Sequence, residues 1–386
     1  MKKRIVILGS TGSIGVNSID VIEKNNRHFQ IIGLSARKNV KLLAEQAKKI
    51  KPRYVCVADE NKIGEFIDYY GNDKNYLLFS GESGLKELIE ECDADLIING
   101  LVGAVGLIPT LKALEKKIPV ALANKETMVI GGKIVSELSK KNNTQIFPVD
   151  SEHSAIWQCL IGESIDDVKQ IILTASGGPF LEKDKSELQN VTVEEALNHP
   201  NWRMGNKITI DSATMMNKGF EVIEAHWLFG ISQKKIKILI HSQSIIHSMV
   251  EFVDGSIKAQ LGFPDMRIPI QFALTYPRRI DADWSKLDFN KISTLTFSSP
   301  DEEKFPSISL AYKSLEMGGT APAVLNAANE TAVNLFLNRR IRFTDISEVV
   351  KRAINEHNLV KEPTLENLLE ADKWTRNYVN NIFVEK

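Results

Sequence analysis

The densest run of reactive side chains lies between His199 and Glu221, where the chain reads H-P-N-W-R-M-G-N-K-I-T-I-D-S-A-T-M-M-N-K-G-F-E. Ser212, Asn217 and Lys218 combine neutral hydrogen-bond donors with one positive charge, which is what a small anion such as a phosphate needs. Glu221 lies four residues beyond Asn217, so a helix over this stretch sets both on one face. Donors for an anion beside a carboxylate point to a phosphorylated substrate bound together with a metal ion.

A second acidic group ends an apolar run: Ile146-Phe-Pro-Val-Asp150-Ser151-Glu152-His153. In an extended chain, residues two apart share a side, so Asp150 and Glu152 would face one ion. With Glu221 they make three carboxylates and no convergent His or Cys cluster, a set that favours Mg²⁺ or Mn²⁺ over zinc. Glu221 would come from a second domain, across a cleft. The plain alternative is solvated surface carboxylates. His153 reads as a packing or supporting residue, and Trp157 and Trp227 as core aromatics.

Gly9-Ser-Thr-Gly12-Ser-Ile-Gly15 follows a first strand and opens an amphipathic helix, Val16 to Lys24. Such glycines let the backbone approach a pyrophosphate, and the helix start offers free N–H groups. The spacing G-x-x-G-x-x-G is a variant of the dinucleotide fingerprint; a glycine turn without ligand is the alternative. The second strand ends in Ser35-Ala36-Arg37-Lys38-Asn39, without the acidic residue that would bind a ribose 2′-hydroxyl. Arg37 and Lys38 would attract a 2′-phosphate, so NADP(H) is the expected cofactor, against a merely solvated basic loop. Asn124-Lys125-Glu126 follows the strand Val120 to Ala123, at the edge where ligands of doubly wound sheets collect. Lys125 there would polarise a carbonyl or hold a substrate oxygen, or simply be exposed. Ser176-Gly177-Gly178-Pro179 fits an anion nest or a turn, and 176 to 205, with its glycine hinge and isolated Trp202, fits a closing lid.

The elements that must position these groups are legible from periodicity. Arg4–Leu8, Ile31–Ser35, Tyr54–Ala58, Leu96–Asn99, Val120–Ala123 and Ile146–Val149 read as strands separated by helical patterns such as Val40–Lys49 and Ile108–Lys116. That alternation predicts a Rossmann-like, doubly wound α/β domain over residues 1–150. A central catalytic α/β domain is expected over 151–275, with the flap at about 176–205 and an open sheet. In that sheet Lys237–His241, Ser248–Val253 and Ser256–Leu261 read as antiparallel strands, with a turn at Asp254-Gly255. A linker over 276–301 and a C-terminal helical bundle over 302–386 complete the chain. The bundle is read from Ile308–Glu316, Ala321–Asn338, Asp345–Asn355 and Leu365–Asn380.

With 386 residues, 43% hydrophobic and 25% charged, several domains of a globular protein are expected. A net charge of −1 argues against nucleic acid or an anionic membrane as the main partner, so any anion must be held locally. Cys56, Cys92 and Cys159 fit neither a disulfide framework nor a metal spacing, and no signal or membrane-spanning segment is read, so a cytoplasmic location is expected.

Taken in order, these motifs resemble the 1-deoxy-D-xylulose 5-phosphate reductoisomerase family over nearly the whole chain. The resemblance rests on Gly9-S-T-G-S-I-Gly15, Leu122-A-N-K-E-Thr127, Pro148-V-D-S-E-H-S-Ala155, Ser176-G-G-P-Phe180, His199 to Glu221 and Ala323-V-L-N-A-A-N-Glu330. It implies NADPH-dependent, metal-dependent rearrangement and reduction of a phosphorylated sugar, 1-deoxy-D-xylulose 5-phosphate, to 2-C-methyl-D-erythritol 4-phosphate. The skeleton would rearrange by retro-aldol and aldol steps or an α-ketol shift, and the branched aldehyde would then accept hydride. Thr11, Gly12, Ser13 and Ile14 are implied at the dinucleotide phosphates, Lys38 and Asn39 at the 2′-phosphate, and Asn124, Glu126 and Gly205 elsewhere in the cofactor site. Asp150, Glu152 and Glu221 are implied to bind Mg²⁺, Mn²⁺ or Co²⁺, and Ser176, Ser212, Asn217 and Lys218 the substrate phosphate. Lys125, Ser151, Glu152 and His199 would contact the carbon skeleton, with Trp202 closing over it, in a homodimer. Arg37 departs from the glycine common in the family at that place, a change that favours NADPH if anything. Two competing readings are another two-domain NADP-dependent dehydrogenase of a sugar phosphate or semialdehyde, and a non-catalytic NADP(H)-sensing protein.

Overall fold

The structure, a computed structural model, describes residues 1–71, 75–200 and 205–382. Its apolar runs form β1 (Lys3–Leu8), β2 (Phe29–Ala36), β3 (Tyr54–Val57), β4 (Leu77–Ser80), β5 (Leu96–Asn99), β6 (Val120–Leu122) and β7 (Ile146–Pro148). They lie in the order β4-β3-β2-β1-β5-β6-β7, every pairing parallel. Between them run α1 (Ser13–Lys24), α2 (Val40–Ile50), α3 (Ile63–Tyr70), α4 (Gly81–Glu91), α5 (Leu107–Glu115) and α6 (Lys125–Asn142). Ile5, Val6, Ile7 and Leu8 are wholly buried, as a central parallel strand covered on both faces must be. The chain winds outward from β1 to β4 and returns to β5 on the other side of β1. That reversal opens a crevice at the carboxyl ends of β1 and β5, where such sheets bind ligands.

One strand is additional to the six expected. β4 is a four-residue edge strand, Leu77–Ser80, all of it at least partly exposed, and it carries no alternation long enough to announce a strand.

The remaining helices are α7 (Ser151–Leu160), α8 (Val193–Leu197), α9 (Asn206–Ala213), α10 (Met216–Phe229), α11 (Arg267–Thr275), α12 (Ser307–Met317), α13 (Ala321–Leu337), α14 (Asp345–Glu356) and α15 (Leu365–Ile382). A second sheet joins β8 (Val168–Ala175), β9 (Ile236–Ile240), β10 (Ile246–Phe252) and β11 (Ile257–Leu261) in the order β11-β10-β8-β9. β10 and β11 form the expected antiparallel hairpin, turning at Asp254-Gly255, with Gly255 at φ +86°. β9 departs from expectation: it runs parallel to β8, because α9 and α10 carry the chain back across the sheet between them.

Two compact units result, both discontinuous in sequence. The first comprises Met1–Thr127, Lys133–Ser154 and Asp265–Trp284; the second comprises Met128–Gly132, Ala155–Pro264 and Ser285–Lys386. The expected boundaries at 150, 275 and 301 differ from this division. The segment 265–284 joins the first unit, where α11 packs on α1, β6 and β7, and the C-terminal helices share the second unit's core. That core runs from Ile171 and Leu173 on β8, through Phe220 and Ile223 on α10, to Val324, Ala328 and Val350 on α13 and α14. α13 is buried on nearly all sides, as the central helix of a bundle must be, whereas α14 buries one stripe, Ile346, Val349, Val350, Ala353 and Ile354. Among the described residues no helix is long and apolar enough to cross a membrane.

Candidate active site

In the first unit, the glycine loop sits on the crevice at the end of β1. Gly9 has φ +79°, and a Cβ there would fall 2.7 Å from the Gly100 carbonyl oxygen, so both the conformation and the close approach require glycine. Gly12 caps α1 in extended conformation without a side-chain bond of its own. Thr11 and Gly12 therefore lead directly into Ser13 and Ile14, whose first-turn N–H groups form the positive end of the helix. The loop is pinned from beneath. Gln46 on α2 donates from Nε2 to the Ser10 carbonyl at 2.9 Å and accepts from Ser10 Oγ at 2.7 Å, while Ser35 Oγ accepts from Gly9 N–H at 3.0 Å.

Arg37, Lys38 and Asn39 lie exposed between β2 and α2. Asn39 caps α2, its side chain accepting from Leu42 N–H at 3.2 Å, and Arg37 makes only a loose 3.9 Å contact with Glu82. Among the described residues these two exposed cations have no strong anion partner, which suits an incoming phosphate.

At the end of β6, Asn124 caps α6 and is nearly fully committed to backbone. Its Oδ1 accepts from Thr127 N–H at 3.0 Å, and its Nδ2 donates to Leu101 O and Gly103 O at 3.0 Å and to Glu126 Oε2 at 3.1 Å. Asn99 continues the network to Gly106 and Thr110. These two amides hold the turn from Leu101 to Gly106 in place, a role that Asn99 gave no motif to reveal.

Asp150 and Glu152 correct one step of the sequence argument. β7 stops at Pro148 and α7 begins at Ser151, so the pair sits at a helix start and not on an extended strand. The first helical bond runs from Ser154 N–H to Asp150 C=O at 2.8 Å. Asp150 lies 2.6 Å from the Lys125 ammonium, both nearly buried, and 3.8 Å from His153 Nδ1. Burial pushes the Asp150 carboxyl up, but Lys125 and then His153 outweigh it and hold the group well below the usual carboxylate range. Ser151 Oγ donates to Glu152 Oε2 at 2.6 Å.

In the second unit, α10 realises the expected helix turn. Asn217 Nδ2 donates to Glu221 Oε1 at 2.6 Å and Lys218 Nζ to Glu221 Oε2 at 2.5 Å, with Lys218 and Glu221 both buried. Ser212 lies one turn short of α10 at the end of α9, and Gly205 caps the start of α9. Ser176 directly follows β8 and bonds His199 Nε2 at 3.2 Å while accepting from Gly178 N–H at 3.3 Å. Gly177 and Gly178 have φ +88° and +70°, and a Cβ on Gly178 would meet the Ser212 carbonyl oxygen at 2.7 Å. The glycine turn thus brings Ser176 and His199 beside Ser212. Burial lowers the His199 pKa, which favours the neutral ring. Trp202 lies outside the described residues. Trp227, read as core, packs against Gly132, where any side chain would collide with its ring.

Lys207, Asp211 and Asn329, to which residue type and spacing assign no role, form a largely buried polar chain that includes the residue before Ser212. Only the i,i+4 spacing of Lys207 and Asp211 signalled part of it.

A parallel sheet with a pinned glycine loop at its switch point defines a dinucleotide-binding α/β protein, and the two acidic helix turns add groups suited to a cation and an anion. Three family models match consecutive parts of the chain. They are described as 1-deoxy-D-xylulose 5-phosphate reductoisomerase (residues 5–132), its C-terminal domain (146–229) and DXP reductoisomerase C-terminal domain (261–378). The chain is similar to the 1-deoxy-D-xylulose 5-phosphate reductoisomerase of Chloroherpeton thalassium, at 53% identity over 98% of this chain and 97% of that protein. One from Bacillus cereus is 49% identical over the full length of both. Among solved structures, the Zymomonas mobilis enzyme in complex with NADPH superposes with a TM-score of 0.92 at 41% identity, covering 99% of each chain. A DOX-P reductoisomerase in complex with NADPH, fosmidomycin and magnesium gives 0.93 at 38% identity over 98% of each. The chain belongs to the 1-deoxy-D-xylulose 5-phosphate reductoisomerase family.

Proposed function

We propose that Asp150, Glu152 and Glu221 hold one divalent cation, that Ser176, Ser212, Asn217 and Lys218 hold the substrate phosphate, and that Lys125, Ser151, Glu152 and His199 contact the carbon skeleton. Thr11 to Ile14, with Arg37, Lys38, Asn39, Asn124, Glu126 and Gly205, are assigned to the dinucleotide. The chain is an NADP-dependent oxidoreductase that rearranges and reduces 1-deoxy-D-xylulose 5-phosphate to 2-C-methyl-D-erythritol 4-phosphate with NADPH and a divalent cation. The observation that carries the residue assignment is the α10 turn, where an ammonium, an amide and a carboxylate stand within one helical turn.

The donors assigned to the cation are all carboxylate oxygens, the set a hard ion such as Mg²⁺ or Mn²⁺ takes. When bound, the ion polarises the substrate ketone as a Lewis acid and the reduced nicotinamide supplies hydride. Lys125 keeps Asp150 ionised and so ready to act as a ligand. Neutral His199 fixes the Ser176 hydroxyl through the 3.2 Å bond. Lys218 and Asn217 bring charge and directed donors to the phosphate. Residues 176–205 are proposed to act as a flap over the substrate, with Gly177 and Gly178 as its hinge and Trp202 on it; closing it would shield reactive intermediates from water. A homodimer is proposed, to be checked by light scattering. Three buried cysteines without disulfides fit a reducing compartment such as the cytoplasm.

The test is NADPH oxidation, followed by absorbance, on adding 1-deoxy-D-xylulose 5-phosphate with Mg²⁺, Mn²⁺ or Co²⁺. Turnover abolished by EDTA and restored by metal is expected, and Glu221→Gln should lose most of it. Undiminished turnover of Glu221→Gln at saturating Mg²⁺ would overturn the metal assignment.

A further inference from the structure

Beside the proposed phosphate site, a largely buried polar chain joins two helices and reaches a third through an aromatic ring. Asn329 on α13 donates from Nδ2 to Asp211 Oδ1 on α9 at 2.7 Å, and the other oxygen of Asp211 receives the Lys207 ammonium at 2.7 Å, one turn earlier on the same helix. Lys207 Nζ stands 4.9 Å over the ring of Phe220, the neighbour of Glu221 on α10. Asn329 is wholly buried and Asp211 is 1% exposed, so neither is a solvated surface group.

The cost of this arrangement marks it as more than packing. A carboxylate in a helix interior is desolvated and must be matched by both an ammonium and an amide. Apolar residues of similar size would hold three helices together equally well or better. What the polar chain adds is direction. Asp211 directly precedes Ser212, so fixing both carboxylate oxygens fixes the rotation of α9 and with it the heading of Ser212. The same chain reaches α10 through Phe220, one turn from Asn217 and two residues from Lys218.

We infer that Asn329 and Asp211, with Lys207, are positioning residues for the phosphate site, an inference that rests on assigning Ser212, Asn217 and Lys218 to the phosphate. They do not touch substrate. They set α9 against α13 and α10 so that donors from two helices converge on one anion.

Steady-state kinetics on the full-length protein with NADPH and Mg²⁺, together with NADPH binding by fluorescence, tests this. Asn329→Ala should raise KM for 1-deoxy-D-xylulose 5-phosphate about tenfold or more, the scale of losing a hydrogen bond to a charged group. Its kcat at saturation should stay within about threefold and its NADPH affinity should not change, a split that general unfolding would not produce. Should Asn329→Ala not fold, Lys207→Gln removes one arm of the chain from a partly accessible position and should raise KM in the same selective way. An unchanged KM in folded Asn329→Ala or Lys207→Gln overturns the positioning role. Ser212→Ala and Lys218→Ala, run alongside, separate the two levels. If they too leave KM unchanged, the phosphate assignment itself fails and the inference falls with it; if they raise KM while Asn329→Ala does not, only the positioning role fails.

Discussion

Replacing Lys218 with methionine removes the ammonium from a pair whose two members are 4% and 0% exposed and 2.5 Å apart. The volume is nearly conserved, so packing loss is small and the consequence is electrostatic: Glu221 keeps the Asn217 amide but loses the Lys218 ammonium. Removing one partner of a buried pair costs about 3–5 kcal/mol. At roughly 2–4 °C per kcal/mol for a unit of this size, Tm of Lys218→Met should fall by roughly 6–20 °C in metal-free buffer. The double variant Lys218→Met/Glu221→Leu removes both charges and should recover most of that fall, because well-packed apolar groups replace a buried pair at little net cost. Scanning calorimetry with EDTA and then with saturating Mg²⁺ makes the measurement. On the proposed assignment of Glu221 to the cation, the ion would supply the missing charge, so Mg²⁺ should raise Tm of Lys218→Met more than that of the wild type. The reasoning is refuted by a Lys218→Met Tm within about 1 °C of wild type, or by a double variant less stable than the single one.

Other perturbations follow from the same coordinates. Burial lowers the pKa of His357, whose Nε2 meets Thr320 Oγ1 at 2.7 Å. Its folded pKa therefore lies below the unfolded value near 6.5, and its stability contribution is complete above that pH and lost as pH falls through the folded pKa. Urea midpoints between pH 7 and 5 should decline less steeply for His357→Gln than for wild type, though not become flat, because His199 shifts the same way. Gly178→Ala forces a side chain into a left-handed conformation and against the Ser212 carbonyl, so it should lose about 1–2 kcal/mol in denaturant titration and raise KM for the phosphorylated substrate. Arg37→Ala/Lys38→Ala should weaken NADPH binding about tenfold or more while leaving NADH binding little changed, which fluorescence titration with both nucleotides would check.

The parallel sheet was readable because a strand buried on both faces is a run of apolar residues, as in Arg4–Leu8, and because glycines mark where such a run turns into a helix. Helices near the C-terminus were readable for a similar reason: Ile346, Val349, Val350, Ala353 and Ile354 repeat with the period of a helix. β4 was not, since Leu77–Ser80 is short and half solvated and so lacks the pattern that burial imposes. The direction of β9 was hidden because it depends on β8, some sixty residues earlier, and not on the residues of β9 itself. Within the site, residue types announced the donors and carboxylates but not their supports. Asp150 and Glu152 suggested a strand by spacing, yet the strand ends at Pro148, whose successors open a helix. Asn99, Gln46 and Asn329 carry no motif; their meaning lies in partners far away in the chain.

The return of residues 265–284 to the first sheet bears on how the protein is made. α11 packs on β6 and β7 and buries Phe272, Ala273 and Leu274, so the part of those strands that it covers stays open until it arrives. The ribosome must add more than about 100 residues after β7 before that happens, a delay of roughly ten seconds at ordinary elongation rates. During that interval the nascent chain presents greasy strands to the cell, and a gene fragment truncated after Asp150 would leave them so permanently. Such a fragment should precipitate or remain bound to chaperones, and grafting 265–284 onto it through a flexible tether should make it behave.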